Sequence, residues 1–214
     1  MIWRALFGRG EPRSAGGRWI VVDTETSGLD VERDVLLAIG GVALDADGVR
    51  PGDSFEVVVR NERGSSKENI VLHGIGRQAQ ADGAPATDAL RAFAAWAEAA
   101  PAAGFHVPFD RAVLARAAQA AGVALAQRSW LDVAPLASAL APAPPGTAAP
   151  GLDDWLEHYG IACPVRHNAA GDALATAELL LRLRAAARRE GARDFAGLVR
   201  LAKRQRWLAG AAGA

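Results

Sequence analysis

Residues 18–24 read RWIVVDT, and the chain runs on through ETSGLD to Asp30. The apolar run fits a buried strand. Asp23 and Glu25 close it in a D-x-E spacing, and a period of two puts both side chains on one face. Two carboxylates about 6–7 Å apart along a strand repel each other unless a cation lies between them.

Outward from that strand, LLAIGGVAL (36–44) is a second apolar run, Asp47-Gly48 is a hairpin turn, and Phe55, Val57 and Val59 alternate with Glu56, Val58 and Arg60 as a third strand. The three form an expected antiparallel meander. Asn61–Lys67 is polar and reads as a loop. The period then becomes 3.6. Leu90, Phe93, Ala94 and Ala97 predict a helix over 87–100, stopped by Pro101. A short strand over 103–107, a helix over 109–121 closed by Gly122, and a strand over 130–133 follow. APAPPGTAAPG (141–151) is a loop, 152–159 a short helix. Leu174, Ala177 and Leu181 mark a long helix ending near Arg189, and a last helix covers 194–208. This order predicts an α/β fold with a mixed sheet flanked by helices.

The chain has 214 residues, 50% hydrophobic and 22% charged, enough for one domain with a sizeable core. No window approaches a membrane span and residues 1–18 lack a secretory apolar run, so a soluble, cytoplasmic protein with no membrane partner is expected. The single cysteine, Cys163, excludes an internal disulfide or multi-thiolate metal site. Twenty-four basic residues balance 24 acidic ones. The balance hides basic ends, +3 over 1–18 and +7 over 182–206, around a middle of −10. Such a distribution suits central cations and a polyanion at the edges. Trp3, Trp19 and Trp207 lie near the basic ends, where an indole can stack on a base. Neither a phosphate-cradling G-x-x-x-x-G-K-[ST] nor a G-x-S-x-G nucleophile elbow occurs.

Two further acids stand at element ends. Asp110 closes GFHVPFD at a strand–helix junction, and Asp172 sits in the first turn of the long helix, five residues after His167 in HNAAGD. Singly, each acid reads as a helix cap or a solvated strand end. Together, Asp23, Glu25, Asp110 and Asp172 are the hard oxygen ligands that Mg²⁺ and Mn²⁺ prefer, numerous enough for two ions and in-line attack on a phosphodiester. His167 is suited to remove the proton of the attacking water.

VVDTETSGLD (21–30), GFHVPFD (104–110) and HNAAGDALATAELLLRL (167–183) resemble the three motifs of the DEDDh, or DnaQ-like, 3′→5′ exonucleases, a group that includes the proofreading epsilon subunit of bacterial DNA polymerase III. The likeness runs from about Arg18 to Leu183. It implies a ribonuclease H-like fold with a five-stranded sheet, and an exonuclease domain over 18–190. Residues 1–17 are then a flexible basic extension and 191–214 a basic C-terminal helix and tail. It further implies that Asp23, Glu25 and Asp172 bind the catalytic metal, that Asp23 bridges to a second ion held by Asp110 through water, and that His167 is the general base. The loop carrying Thr24, Thr26, Gly28 and Leu29 would contact the terminal nucleotide. VLHGI (71–75) resembles a family segment whose histidine, here His73, approaches that nucleotide, with Glu68 beside it; a loop-ordering hydrogen bond is the other reading of His73.

The function implied is metal-dependent 3′→5′ hydrolysis of single-stranded or frayed DNA ends, releasing nucleoside 5′-monophosphates. The alternatives are an exoribonuclease similar to RNase T or oligoribonuclease, and a non-catalytic nucleic-acid-binding accessory module. The family's His-Asn ahead of the Asp110 motif is here Phe105-His106, which leaves His106 without an assigned role. The tail shows no clamp-binding peptide, so polymerase association is unsupported.

Overall fold

A computed structural model describes residues 17–147 and 149–212. Trp3 and nearly all of the expected N-terminal extension lie outside the described residues. Five strands, β1 (Trp19–Thr26), β2 (Leu36–Leu44), β3 (Val49–Val58), β4 (Ala102–Gly104) and β5 (Trp130–Asp132), form one sheet in the order β3-β2-β1-β4-β5. β1–β2 and β2–β3 pair antiparallel, while β1–β4 and β4–β5 pair parallel. The mixed five-stranded sheet with its meander is thus present. Eight helices accompany it among the described residues: α1 (Lys67–His73), α2 (Arg77–Ala81), α3 (Ala86–Ala97), α4 (Pro108–Ala120), α5 (Val133–Leu140), α6 (Leu152–Tyr159), α7 (Ala169–Arg189) and α8 (Phe195–Ala212).

The alternation of β1 divides the interior. Ile20 and Val22 face one core with Leu90 and Phe93 of α3 and Val113 and Leu114 of α4. Val21 faces another with Trp155, Leu179, Leu180 and Leu183. Each such fully buried side chain contributes about 1.5–3 kcal/mol. Asp23 and Glu25 therefore emerge on the α7 side and Thr24 on the α4 side. α8 sends Phe195, Leu198, Leu201 and Ala202 into the α7-side core.

Three helices differ from the sequence expectation. α1 takes up the end of the expected loop, with the Ser66 hydroxyl accepting from the Asn69 N–H at 3.2 Å and Gly74 in the left-handed conformation at its end. α2 follows directly. α5 fills a segment with no assigned element, and Asp132 caps it. On α7 the buried face is Ala173, Ala177, Leu180, Leu183 and Ala187, which leaves Leu174 38% exposed. Of the expected stripe, Ala177 is buried, while Leu180 and Leu183 take the interior in place of Leu174.

Gly40 is what lets α7 approach. It pairs with Asp23 across the β1–β2 ladder, and a Cβ there would lie 2.1 Å from the Ala169 carbonyl carbon. Gly41, facing the other way, makes room for the Trp96 ring. Gly40→Ala should destabilise the fold by about 1–3 kcal/mol or more, since backbone must move, and should separate Asp172 from Asp23. Chemical denaturation checks the first effect and a metal titration the second. None of the helices among the described residues is long and apolar enough to cross a membrane.

Candidate active site

β1 delivers Asp23 and Glu25 at its C-terminal end, where the pairing with β2 shifts register between Glu25 and Thr26. Bulges of this kind re-aim side chains beside functional sites. The first turn of α7 delivers Asp172 across from them. One carboxylate oxygen each of Asp23, Glu25 and Asp172 lie within 4.8 Å of one another. Burial, then the charges of Asp110, Asp172 and Glu25, hold the Asp23 carboxyl well above the usual carboxylate range. Burial and the Asp172 charge push Glu25 up to about 8. A set of acids so costly to ionise together fits a divalent cation, whose charge removes the repulsion.

Asp110 lies near this group but is held from the other side of β1. It is 4% exposed and accepts from the Thr24 amide at 3.0 Å and from the Thr24 hydroxyl at 2.8 Å. Burial raises it to about 7, against the pull of those hydrogen bonds. Thr24, expected at the substrate, is buried and commits its hydroxyl to orienting Asp110. Asp110 is thus brought to the rim of the cluster and not into the triad.

His167 occupies the turn before α7 at φ 57°, an uncommon conformation for a residue with a Cβ. Its N–H donates to Asp172 Oδ2 at 3.1 Å, which ties the loop to the cluster. Asn168 caps α7 by accepting from the Gly171 N–H at 2.9 Å and reaches Glu56 of β3 with its own amide. Asp172 Oδ1 is ion-paired with Arg166, which also pairs with Asp153 in the first turn of α6. The sequence reading passed over Arg166 and Asp153. The available signal was a lone basic residue directly ahead of His167 in a segment otherwise serving acids.

The remaining expected contacts divide. Leu29 is 88% exposed at the tip of the loop after β1. Thr26 is buried and donates to the Gly28 carbonyl at 2.6 Å, and a Cβ on Gly28 would meet the Asp34 carboxylate. Glu68 is exposed in the first turn of α1, where its own backbone amide, and then Ser66, hold its carboxyl below the usual range. His73 is buried. Its Nδ1 accepts from the Ile75 N–H at 2.9 Å and its Nε2 lies 2.6 Å from Asn69 Oδ1, so both ring nitrogens are spent on the loop between α1 and α2. Burial lowers its pKa accordingly. The neighbouring Val71 and Leu72 are exposed instead. His106 is exposed, also at positive φ, and its N–H donates to Asp132.

Comparison with known proteins bears on the family and the fold. The DNA polymerase III subunit epsilon-like protein of Rhodobacter capsulatus is 29% identical over 184 residues, 85% of this chain and 26% of that protein. E. coli exonuclease I in complex with a dT13 oligonucleotide superposes with a TM-score of 0.67 at 18% identity, over 81% of this chain and 42% of that one. Exonuclease X in complex with 5′-overhanging duplex DNA gives 0.61 at 20% identity, over 78% and 91%. At these identities the superpositions show the fold, that of a ribonuclease H-like exonuclease. The chain spans about a quarter of the curated relative and under half of exonuclease I. A family model described as Exonuclease (RNase_T) matches residues 20–180, which hold Asp23, Glu25, Asp110, His167 and Asp172, and the chain therefore belongs to that DnaQ-like exonuclease family.

Proposed function

We propose that this chain is a metal-dependent 3′→5′ exonuclease that removes nucleoside 5′-monophosphates from single-stranded or frayed DNA. The observation that carries the reading is the convergence of Asp23, Glu25 and Asp172, with Asp23 and Glu25 raised by burial and mutual repulsion. These three would hold divalent cations, with Asp110 behind Asp23. Two bound Mg²⁺ or Mn²⁺ ions would supply Lewis acidity at the scissile phosphate and lower the pKa of the attacking water. His167, tied to Asp172 through its backbone N–H, takes up the water's proton. Leu29, projecting into solvent, lies against the terminal base. Thr24 keeps Asp110 oriented, and His73 keeps the α1–α2 loop in place. We assign the exonuclease domain to residues 18–190. DNA as the substrate rests on the likeness of VVDTETSGLD to the proofreading type, and RNA is the competing substrate to be run beside it.

The basic C-terminal helix is assigned to the strand upstream of the cleaved bond. Lys203 and Arg206 line a groove of about 420 Å³ with Arg111 of α4, the residue after Asp110, whereas Arg204 faces a separate depression. Arg206 is paired with Asp132 on the groove wall. In Ca²⁺, Lys203→Ala and Arg206→Ala should weaken single-strand binding. Each should flatten the log affinity–log salt slope by about 0.7, the share of one phosphate. Arg204→Ala should leave the slope in place. Equal slopes in all three variants would make α8 a solvated surface only.

The function itself is tested with end-labelled DNA and RNA oligonucleotides in Mg²⁺, in Mn²⁺ and in EDTA. Degradation of DNA from the 3′ end, abolished by EDTA, is the expected result.

A further inference from the structure

A guanidinium stands among the acids. Arg166 Nη1 pairs with Asp172 Oδ1, while Nε pairs with Asp153. Among the described residues, no other Lys or Arg forms an ion pair with Asp23, Glu25 or Asp172. Both oxygens of Asp172 are engaged, Oδ1 by Arg166 and Oδ2 by the His167 N–H. Yet an oxygen of Asp172 is one of the three that converge. A divalent ion and Arg166 therefore compete for the same carboxylate.

The two ends of Arg166 differ. Asp172 is 8% exposed and Asp153 69%. Nη1 is buried and has no hydrogen-bond partner beyond its ion pair. The inner contact is an ion pair with one buried carboxylate oxygen, and a more highly charged cation outcompetes it. The outer contact lies at the surface, where such an ion does not reach. A guanidinium released inward but tethered outward stays at the mouth of the site with its planar fork unused, and that fork matches two phosphate oxygens.

We propose that Arg166 is an exchangeable counter-cation: it neutralises Asp172 while the site lacks metal, yields Oδ1 when a divalent ion takes it, and, held at the rim by Asp153, turns to the phosphodiester of the substrate. The inference rests on the metal site and nuclease function proposed above. It gives the chain a reason to carry an arginine beside residues that must bind cations. The repulsion among the acids is reduced before metal arrives, and the same charge is reused on the polyanion.

The test is a calorimetric Mn²⁺ titration without nucleic acid, on the wild-type chain and on Arg166→Gln. The variant should bind Mn²⁺ about tenfold more tightly, having lost a competing charge, while its metal-free Tm falls. A purely structural Arg166 would lower Tm and leave the Mn²⁺ affinity unchanged or weaker, which would overturn the exchange. In Ca²⁺-loaded protein, single-strand affinity should fall in the variant with a salt slope flatter by about 0.7. An unchanged slope would overturn the phosphate contact. If Arg166→Gln fails to fold, the wild-type guanidinium ¹⁵N–¹H resonances decide the matter: they should shift as Mg²⁺ saturates, and fixed resonances refute the exchange. Absence of Mn²⁺ binding to the wild-type chain would instead refute the metal site itself.

Discussion

Asp23→Ala should abolish turnover while raising the stability of the metal-free protein. Asp23 faces Glu25 and Asp172 and is held well above the ordinary carboxylate range by burial and by its acidic neighbours. A carboxyl whose folded pKa exceeds its unfolded one keeps a proton that the unfolded chain has lost. Its effect is to reduce stability as pH rises through that interval. With Glu25 at about 8 and Asp110 at about 7, metal-free wild-type protein should lose stability steadily from about pH 4 to about pH 8. Asp23→Ala should show a shallower loss. Added Mn²⁺ should restore the wild type by mass action, about 2.7 kcal/mol at a hundredfold excess over Kd, and restore the variant far less. The metal must displace these protons, so wild-type affinity should tighten between pH 6 and 8. Asp172→Ala should be equally inactive without the gain in stability, because it strands the buried Nη1 of Arg166 and the His167 N–H. Thermal melts across pH, with and without Mn²⁺, check all of this; equal metal stabilisation of Asp23→Ala and wild type would refute the assignment.

His167→Asn should cut single-turnover rates about 10²–10⁴-fold, the usual worth of a general base. Asparagine is the chosen replacement because it tolerates the left-handed backbone of this turn and keeps the N–H that donates to Asp172. Alanine would mix backbone strain with lost chemistry. Mn²⁺ affinity should stay within about twofold, since His167 is proposed as a base and not as a ligand. Rates measured at saturating Mn²⁺, where the acids are held ionised, should rise along an acidic limb in the wild type that the variant lacks. Persistence of that limb would return His167 to a loop-ordering role.

Much of this arrangement is legible in the chain because its signals are local. RWIVVDT is apolar enough to be a strand, and its period of two is enough to put Asp23 and Glu25 together. Asp172 in a first turn and Asp47-Gly48 in a hairpin follow from equally short patterns. What escapes depends on contacts between distant segments. That Gly40 must lack a side chain is a property of the helix lying against it. Thr24 turning away from the site to hold Asp110, and Arg166 reaching both Asp153 and Asp172, are likewise tertiary facts. α5 escapes for another reason: Asp132 both ends β5 and caps the helix, with no polar residue between them to mark a boundary. His73 shows that a motif can be matched while the side chain's work stays open until its hydrogen bonds are seen.

The central claim, hydrolysis inward from a 3′ end by a metal held on Asp23, Glu25 and Asp172, is tested most directly on one single-stranded DNA labelled in turn at each end. With Mn²⁺, the 5′-labelled strand should give a ladder of progressively shorter products. The 3′-labelled strand should release its terminal nucleoside 5′-monophosphate at the first turnover. EDTA or Asp23→Ala should abolish both. Internal cleavage, products shortened from the 5′ end, or degradation that persists in Asp23→Ala would contradict the account.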